Sequence, residues 1–133
     1  MKIAIIVGVL VLIFGLGFLA LSARSSTGKS DANAITIEQV NREVSENTAA
    51  LLDVRTPEEY SQGHFEGAEL LSLQAIEQGK LPSASKDTTL YVYCRSGSRS
   101  SQAARLLKEA GYGDVVDLGG LTDVEKLGGT LVR

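Results

Sequence analysis

The segment YVYCRSGSRSSQAARLL, residues 91–107, places the only cysteine of the chain, Cys94, between an aromatic and β-branched run and the start of a helix-forming stretch. The reactive form of cysteine is the thiolate, which forms where positive charge or N–H donors surround the sulfur. Arg95 and Arg99 flank Ser96-Gly97-Ser98, small residues whose backbone can curl so that several N–H groups converge as a nest for an anion. A helix beginning near Arg99 adds its positive end. A thiol in that field loses its proton below the ordinary value of about 8.5. The chemistry is that of a nucleophile in an anion-binding cup, acting on a small anion or on an electrophile with an anionic leaving group. The competing reading is a buried cysteine that merely ends an apolar strand. Two arginines and a Gly-Ser loop ahead of a helix weigh against it.

The surrounding sequence supplies the elements that would hold this loop. Thr36, followed three residues on by Gln39, has capping-box spacing and predicts a helix from about Ile37 to Glu46. Ala50 to Arg55 (ALLDVR) reads as a short buried strand. Thr56-Pro57-Glu58-Glu59 then restarts a helix, with a capping hydroxyl, Pro in the first turn and acids facing the positive end of the dipole. AELLSL predicts a strand and LQAIEQGKL a short helix. Thr89 to Cys94 (TLYVYC) is the best strand of the chain, and the next helix presents Ala103, Leu106, Leu107 and Ala110 on one face, with Gly111 as its stop. Asp114 to Leu118 is one more strand, and GGLTDVEKLGG a last helical turn or two. Strands alternating with helices predict an α/β fold with a parallel sheet covered on both faces. Ligands bind such sheets at the carboxyl ends of the strands, where Cys94 stands.

Residues 34–133 resemble a single-domain rhodanese, a sulfurtransferase. LLDVRTPEEYSQGHFEGA (Leu51 to Ala68) is similar to that family's Asp-x-Arg, Glu-Tyr and Gly-His-x-x-Gly-Ala segment. YVYCRSGSRSSQAARLLKEAGY resembles its active-site strand, loop and helix, and VVDLGGL its closing segment. The resemblance implies a parallel five-stranded sheet flanked by helices. It implies that Cys94 accepts a sulfane sulfur as a persulfide, and that Arg95, Ser96, Gly97, Ser98 and Arg99 form the loop that binds the substrate. Asp53 and Arg55 match positions that fix the architecture near the site. The implied donor is thiosulfate or a related small sulfur-containing anion, and the acceptor a thiol, a cyanide-like species or a thiol protein, with no cofactor. One departure is Leu121-Thr122-Asp123-Val124, where the family often has an aromatic residue after Gly-Gly.

Other chemistries fit less well. Protein tyrosine phosphatases also use a Cys, an amide cup and an Arg, but with five residues between the two; here four intervene, and Ser100 stands where that Arg would fall. A Cys–His hydrolase would need His64, the single histidine, which reads as hydrogen-bonding to loop backbone. One Cys and one His assemble no metal cluster of the usual composition. Glu58 and Glu59 read as helix-start charges. Residues 34–133 carry ten Lys or Arg against fifteen Asp or Glu, which argues against a nucleic-acid surface. A non-catalytic alternative stays open, in which the domain is a membrane-tethered binding or sulfur-relay module.

The membrane enters through residues 3–21, IAIIVGVLVLIFGLGFLAL, which have no charge or polar side chain. At about 1.5 Å per residue, a helix of this run nearly matches a hydrocarbon core of roughly 30 Å. Residues 1–22 are therefore expected to be a transmembrane helix or signal anchor, and 23–33 a polar linker. The competing reading is a cleaved signal, since Lys2 precedes the run and Ala20, Ser22 and Ala23 follow its core; the length of the run favours the anchor. Lys2 on one side nearly balances Arg24 and Lys29 on the other, so charge does not orient the span. The two-residue tail is the easier end to leave in the cytoplasm. The expectation is a single-pass protein whose domain lies outside the cytoplasm of a bacterium.

Overall fold

The computed structural model describes residues 34–133. The expected anchor and linker, residues 1–22 and 23–33, lie outside them. Among the described residues no helix is long and apolar enough to cross a membrane.

Helix α1 (Ile37–Ser45) begins on Thr36, whose side chain accepts the Gln39 N–H. Strand β1 (Ala49–Asp53) follows, then α2 (Pro57–Gln62). The α2 cap is reciprocal: Thr56 Oγ1 accepts the Glu59 N–H, and Glu59 Oε2 accepts the Thr56 N–H. Two short strands, β2 (His64–Phe65) and β3 (Ala68–Leu70), lead to α3 (Leu73–Glu77). Strand β4 (Thr89–Tyr93) runs into α4 (Ser98–Glu109), and β5 (Val115–Gly119) into α5 (Leu121–Lys126) before β6 (Leu131–Val132) closes the chain.

The sheet has the order β3-β1-β4-β5, all pairs parallel. It has four strands, not the five implied by the resemblance. Among the described residues no further segment pairs with its edge strands: residues 34–36 are irregular, and β6 pairs antiparallel with β2 as a separate two-stranded ribbon. The expected strand over Ala68 to Leu73 also stops early, because Ser72 caps α3 by accepting the Ala75 N–H.

Alternation along the central strands divides the core between the two faces. Leu52, Val54, Leu90, Val92 and Cys94 pack with Ala103, Ala104 and Leu107 of α4. Leu51, Tyr91 and Tyr93 face Ile37 and Val40 of α1, Phe65 and Val124. Fully burying a side chain such as Leu90 or Leu107 is worth about 1.5–3 kcal/mol, so these faces, more than helix propensity, hold α4 against the sheet. The buried face of α4 is Ser100, Ala103, Ala104 and Leu107. Ala110, expected on that face, is exposed because it is already the C-cap, and Gly111 after it takes a positive φ.

Candidate functional site

Cys94 is the first residue past β4 and is fully buried. Its N–H donates to Gly119 O at 3.0 Å, continuing the pairing of β4 with β5. The chain then turns back through Arg95, Ser96 and Gly97. Two contacts fix that turn on the β5 side: Leu121 N–H donates to Arg95 O at 3.1 Å, and Ser96 bridges Gly120. Gly120 must be glycine for this approach, since a Cβ there would lie 2.7 Å from Arg95 O. Gly97 adopts φ +98°, left-handed backbone that points its N–H back at the sulfur and starts α4.

The donors around Sγ come from the loop and the first turn of α4. Gly97 N–H reaches Sγ at 2.9 Å, and Ser100 Oγ lies 3.5 Å away. Burial pushes the Cys94 thiol up, but the Ser100 hydroxyl and the N–H groups of Ser100, Gly97 and Ser96 outweigh it, and the net result is a lowered pKa. The arrangement stabilises a buried sulfur anion mainly through hydrogen-bond donors, with the Arg99 guanidinium adding a through-space attraction.

Behind the loop, Asp53 and Arg55 form a buried pair. Arg55 Nη2 donates to Asp53 Oδ2 at 2.6 Å and to Gly63 O at 2.7 Å, while Nε reaches both carboxylate oxygens. Tyr93 O–H donates to Asp53 Oδ2 and accepts the Phe65 N–H. Arg55 therefore ties the start of β2 to the end of β1, beside the strand that ends at Cys94. Arg95 is exposed and lines an open cleft of about 330 Å³ with Arg55, Glu59, Gln62, Gly63, Leu121 and Leu131.

The Rhodanese-like domain family model matches residues 36–126. The chain belongs to the rhodanese-like domain family. Thiosulfate sulfurtransferase PspE of Escherichia coli is 40% identical over 75 residues, 55% of this chain and 71% of the relative. A protein named sulfurtransferase from Allochromatium vinosum is 37% identical over 91 residues, 66% of this chain and 82% of the relative. Among solved structures, a rhodanese with anions from E. coli superposes with a TM-score of 0.56 at 36% identity, covering 64% of this chain and 98% of that one.

Within this rhodanese-like domain the expected loop residues divide. Cys94, Ser96 and Gly97 come together around the sulfur. Ser98 is exposed as the first residue of α4. Arg99 turns away: its Nη1 and Nη2 donate to Glu59 Oε2 at 2.7 Å and Oε1 at 2.9 Å. The expected inward-facing amides reach the sulfur and are joined by the Ser100 hydroxyl, while the Arg99 guanidinium spends its hydrogen bonds on Glu59 and acts on the sulfur only through space.

Ser100 and Glu59 are the residues the pattern did not single out. Glu59 reads as a helix-start acid and does cap α2, but the same carboxylate also holds Arg99 across from α4. Burial at the first turn of α4 is the signal for Ser100, and only the tertiary packing supplies it. His64 stacks on Tyr60, with ring centroids 3.8 Å apart, and its Nδ1 lies 3.0 Å from Tyr60 O. Among the described residues no group of three His, Cys, Asp or Glu is placed to hold a metal ion.

Proposed function

We propose that this protein is a sulfurtransferase that carries sulfane sulfur from thiosulfate or a related donor to a thiophilic acceptor on Cys94. The observation that carries the reading is the Cys94 sulfur at the end of β4, with the Gly97 N–H aimed at it from 2.9 Å. The thiolate attacks the outer sulfur of thiosulfate. The sulfur–sulfur bond of the donor breaks, sulfite leaves with the electron pair, and Cys94 becomes a persulfide. An acceptor thiolate then attacks the outer sulfur of the persulfide, and the Cys94 thiolate departs with the electron pair. The loop amides stay in place throughout and need no reorganisation to hold the anion. Exposed Arg95 attracts the donor dianion into the cleft beside the loop.

The test is intact-mass analysis of the chain before and after thiosulfate. The expected outcome is a gain of one sulfur atom, removed again by a thiol acceptor. The Cys94→Ser variant should gain none and lose sulfur-transfer activity entirely. A parent chain that never gains sulfur from thiosulfate, polysulfide or an organic persulfide would leave a binding module in place of an enzyme.

The apolar run over residues 3–21 extends the proposal to location: a single-pass anchor that holds the domain outside the cytoplasm of a bacterium, where donor anions arrive by diffusion. Protease added to intact cells should then digest the domain, and full protection until lysis would reverse the orientation.

A further inference from the structure

The Ser100 hydroxyl has one proton and three neighbours able to take it, the buried Cys94 sulfur and two partly buried carbonyls. Its Oγ lies 3.0 Å from Gly97 O, 3.3 Å from Gly119 O and 3.5 Å from Cys94 Sγ. The residue is fully buried, so no solvent stands in as a fourth partner. When the sulfur is a neutral thiol, the S–H donates to Ser100 Oγ and the hydroxyl gives its proton to a carbonyl. When the sulfur is a thiolate, it can only accept. Turning the hydroxyl toward it would normally orphan a buried carbonyl, a costly event. Here neither carbonyl is orphaned: Gly97 O keeps the Ser101 N–H at 3.1 Å, and Gly119 O keeps the Cys94 N–H at 3.0 Å.

We propose that Ser100 is a switching donor that follows the charge on Cys94 Sγ, facing the carbonyls when the sulfur is a neutral thiol or persulfide and facing the sulfur when it is a thiolate. This deepens the sulfurtransferase reading and rests on it for the second half-reaction. In the first half the hydroxyl turns to the free thiolate and lowers the pH at which the nucleophile exists. Once the outer sulfur is attached, Sγ is neutral and the hydroxyl returns to a carbonyl. When the acceptor thiolate forms its bond to the outer sulfur, the Sγ–S bond breaks and negative charge returns to Sγ. Ser100 turns back and stabilises that leaving group.

The neighbouring charges are committed elsewhere. Arg99 of α4 is paired with Glu59 of α2, and Arg55 with Asp53 at the end of β1. Asp117 of β5 accepts the Gly119 N–H, Asp123 of α5 the Gly120 N–H, and Arg95 is exposed. Arg99 keeps a through-space attraction for the thiolate while bound to Glu59, and among the described residues the Ser100 hydroxyl is the side-chain donor within reach of the sulfur.

The consequence separates the two half-reactions. Losing the donor raises the thiol pKa, and a thiol of higher pKa is a better nucleophile once ionised but a poorer leaving group. In Ser100→Ala, the rate of Cys94 alkylation by iodoacetamide against pH should shift its acid limb upward by about one unit, with the alkaline plateau unchanged or slightly higher. Ser100→Thr, which keeps the hydroxyl, should return the limb to the parent position. Transfer from preformed Cys94 persulfide to a thiol should slow by about threefold in Ser100→Ala at every pH, since the leaving sulfur carries only part of its charge in the transition state. A residue that only packs the cup would change stability and leave the alkylation profile in place, and an unshifted limb overturns the proposal. Alkylation needs no sulfur donor, so this result stands apart from any failure of sulfur transfer itself. If Ser100→Ala does not fold, Ser100→Gly supplies the second variant; it also lacks the donor and should move the limb as far, and no movement counts against the switch.

Discussion

Asp53 is fully buried, and its carboxylate accepts from Arg55 Nε, Arg55 Nη2, the Arg55 N–H and the Tyr93 O–H. Removing one partner of a buried ion pair costs far more than the pair is worth as a whole, because the other charge stays behind without water. Asp53→Ala leaves the Arg55 guanidinium at 4% exposure with Gly63 O as its remaining hydrogen-bond acceptor. The variant should lose about 3–5 kcal/mol of stability, read as a lower urea midpoint with an unchanged slope. Arg55 also holds the Gly63 carbonyl at the cleft, so residual folded protein should show reduced sulfur loading. The sequence made Cys94 and its loop legible at this scale, because a lone thiol, small residues and a helix start have a direct chemical meaning together. Ser100 stayed hidden because a serine in a first helical turn carries no mark of which way it faces. The turning of Arg99 onto Glu59 stayed hidden too, since the partners lie 40 residues apart.

The elements that present the sulfur meet through two glycines, and each does so for a different reason. At Gly97 a Cβ would find its nearest atoms at 3.6 Å, ordinary contact, so the constraint is the φ of +98° alone. Gly97→Ala should therefore cost about 1–2 kcal/mol. At Gly120 the constraint is space, because a Cβ would sit 2.7 Å from Arg95 O and 3.0 Å from Ser96 Cα. Backbone must separate there, so Gly120→Ala should pull the loop from β5 and raise the Cys94 thiol pKa as the amides leave it. Thermal melts and thiolate absorbance against pH check the pair; equal thiol pKa values in parent and Gly120→Ala would contradict the steric account. Strands β1, β4 and β5 and helix α4 were legible because each is long enough to show its period or to read as an apolar run. The β2 and β6 ribbon was not, since two residues per strand give no alternation to read. The fifth strand came from resemblance rather than from any apolar segment of this chain, and no further segment of the described chain pairs with the edge strands β3 and β5.

For the whole molecule, the titrating groups bound a wide window of pH stability. Arg99 holds the Glu59 carboxyl far below its usual value, against burial and with the Thr56 N–H assisting, down to about 2. Tyr91, through its hydrogen bond, lowers Glu43 as well. A carboxylate with a depressed folded pKa contributes stability that is complete above its ordinary value of 4.5 and fades as pH falls toward the folded value. At the other end, burial raises Tyr91 and Tyr93 above their usual 10.0, so their contribution is complete below pH 10 and disappears as the solution becomes more alkaline. Urea midpoints should be nearly flat from about pH 5 to 8, fall between pH 4.5 and 2, and fall again above pH 10. The thiol adds a slope of its own: its lowered pKa makes the fold more stable on the alkaline side of its titration, and this slope vanishes in Cys94→Ser. Glu59→Gln isolates the acid branch. It keeps the shape of the side chain but removes the charge that Arg99 opposes, so its midpoint should change less than the parent's between pH 4.5 and 2 and should lie below it at pH 7. An acid branch as steep in Glu59→Gln as in the parent would assign the loss to other carboxylates and remove the pair between α2 and α4 from the account of acid stability.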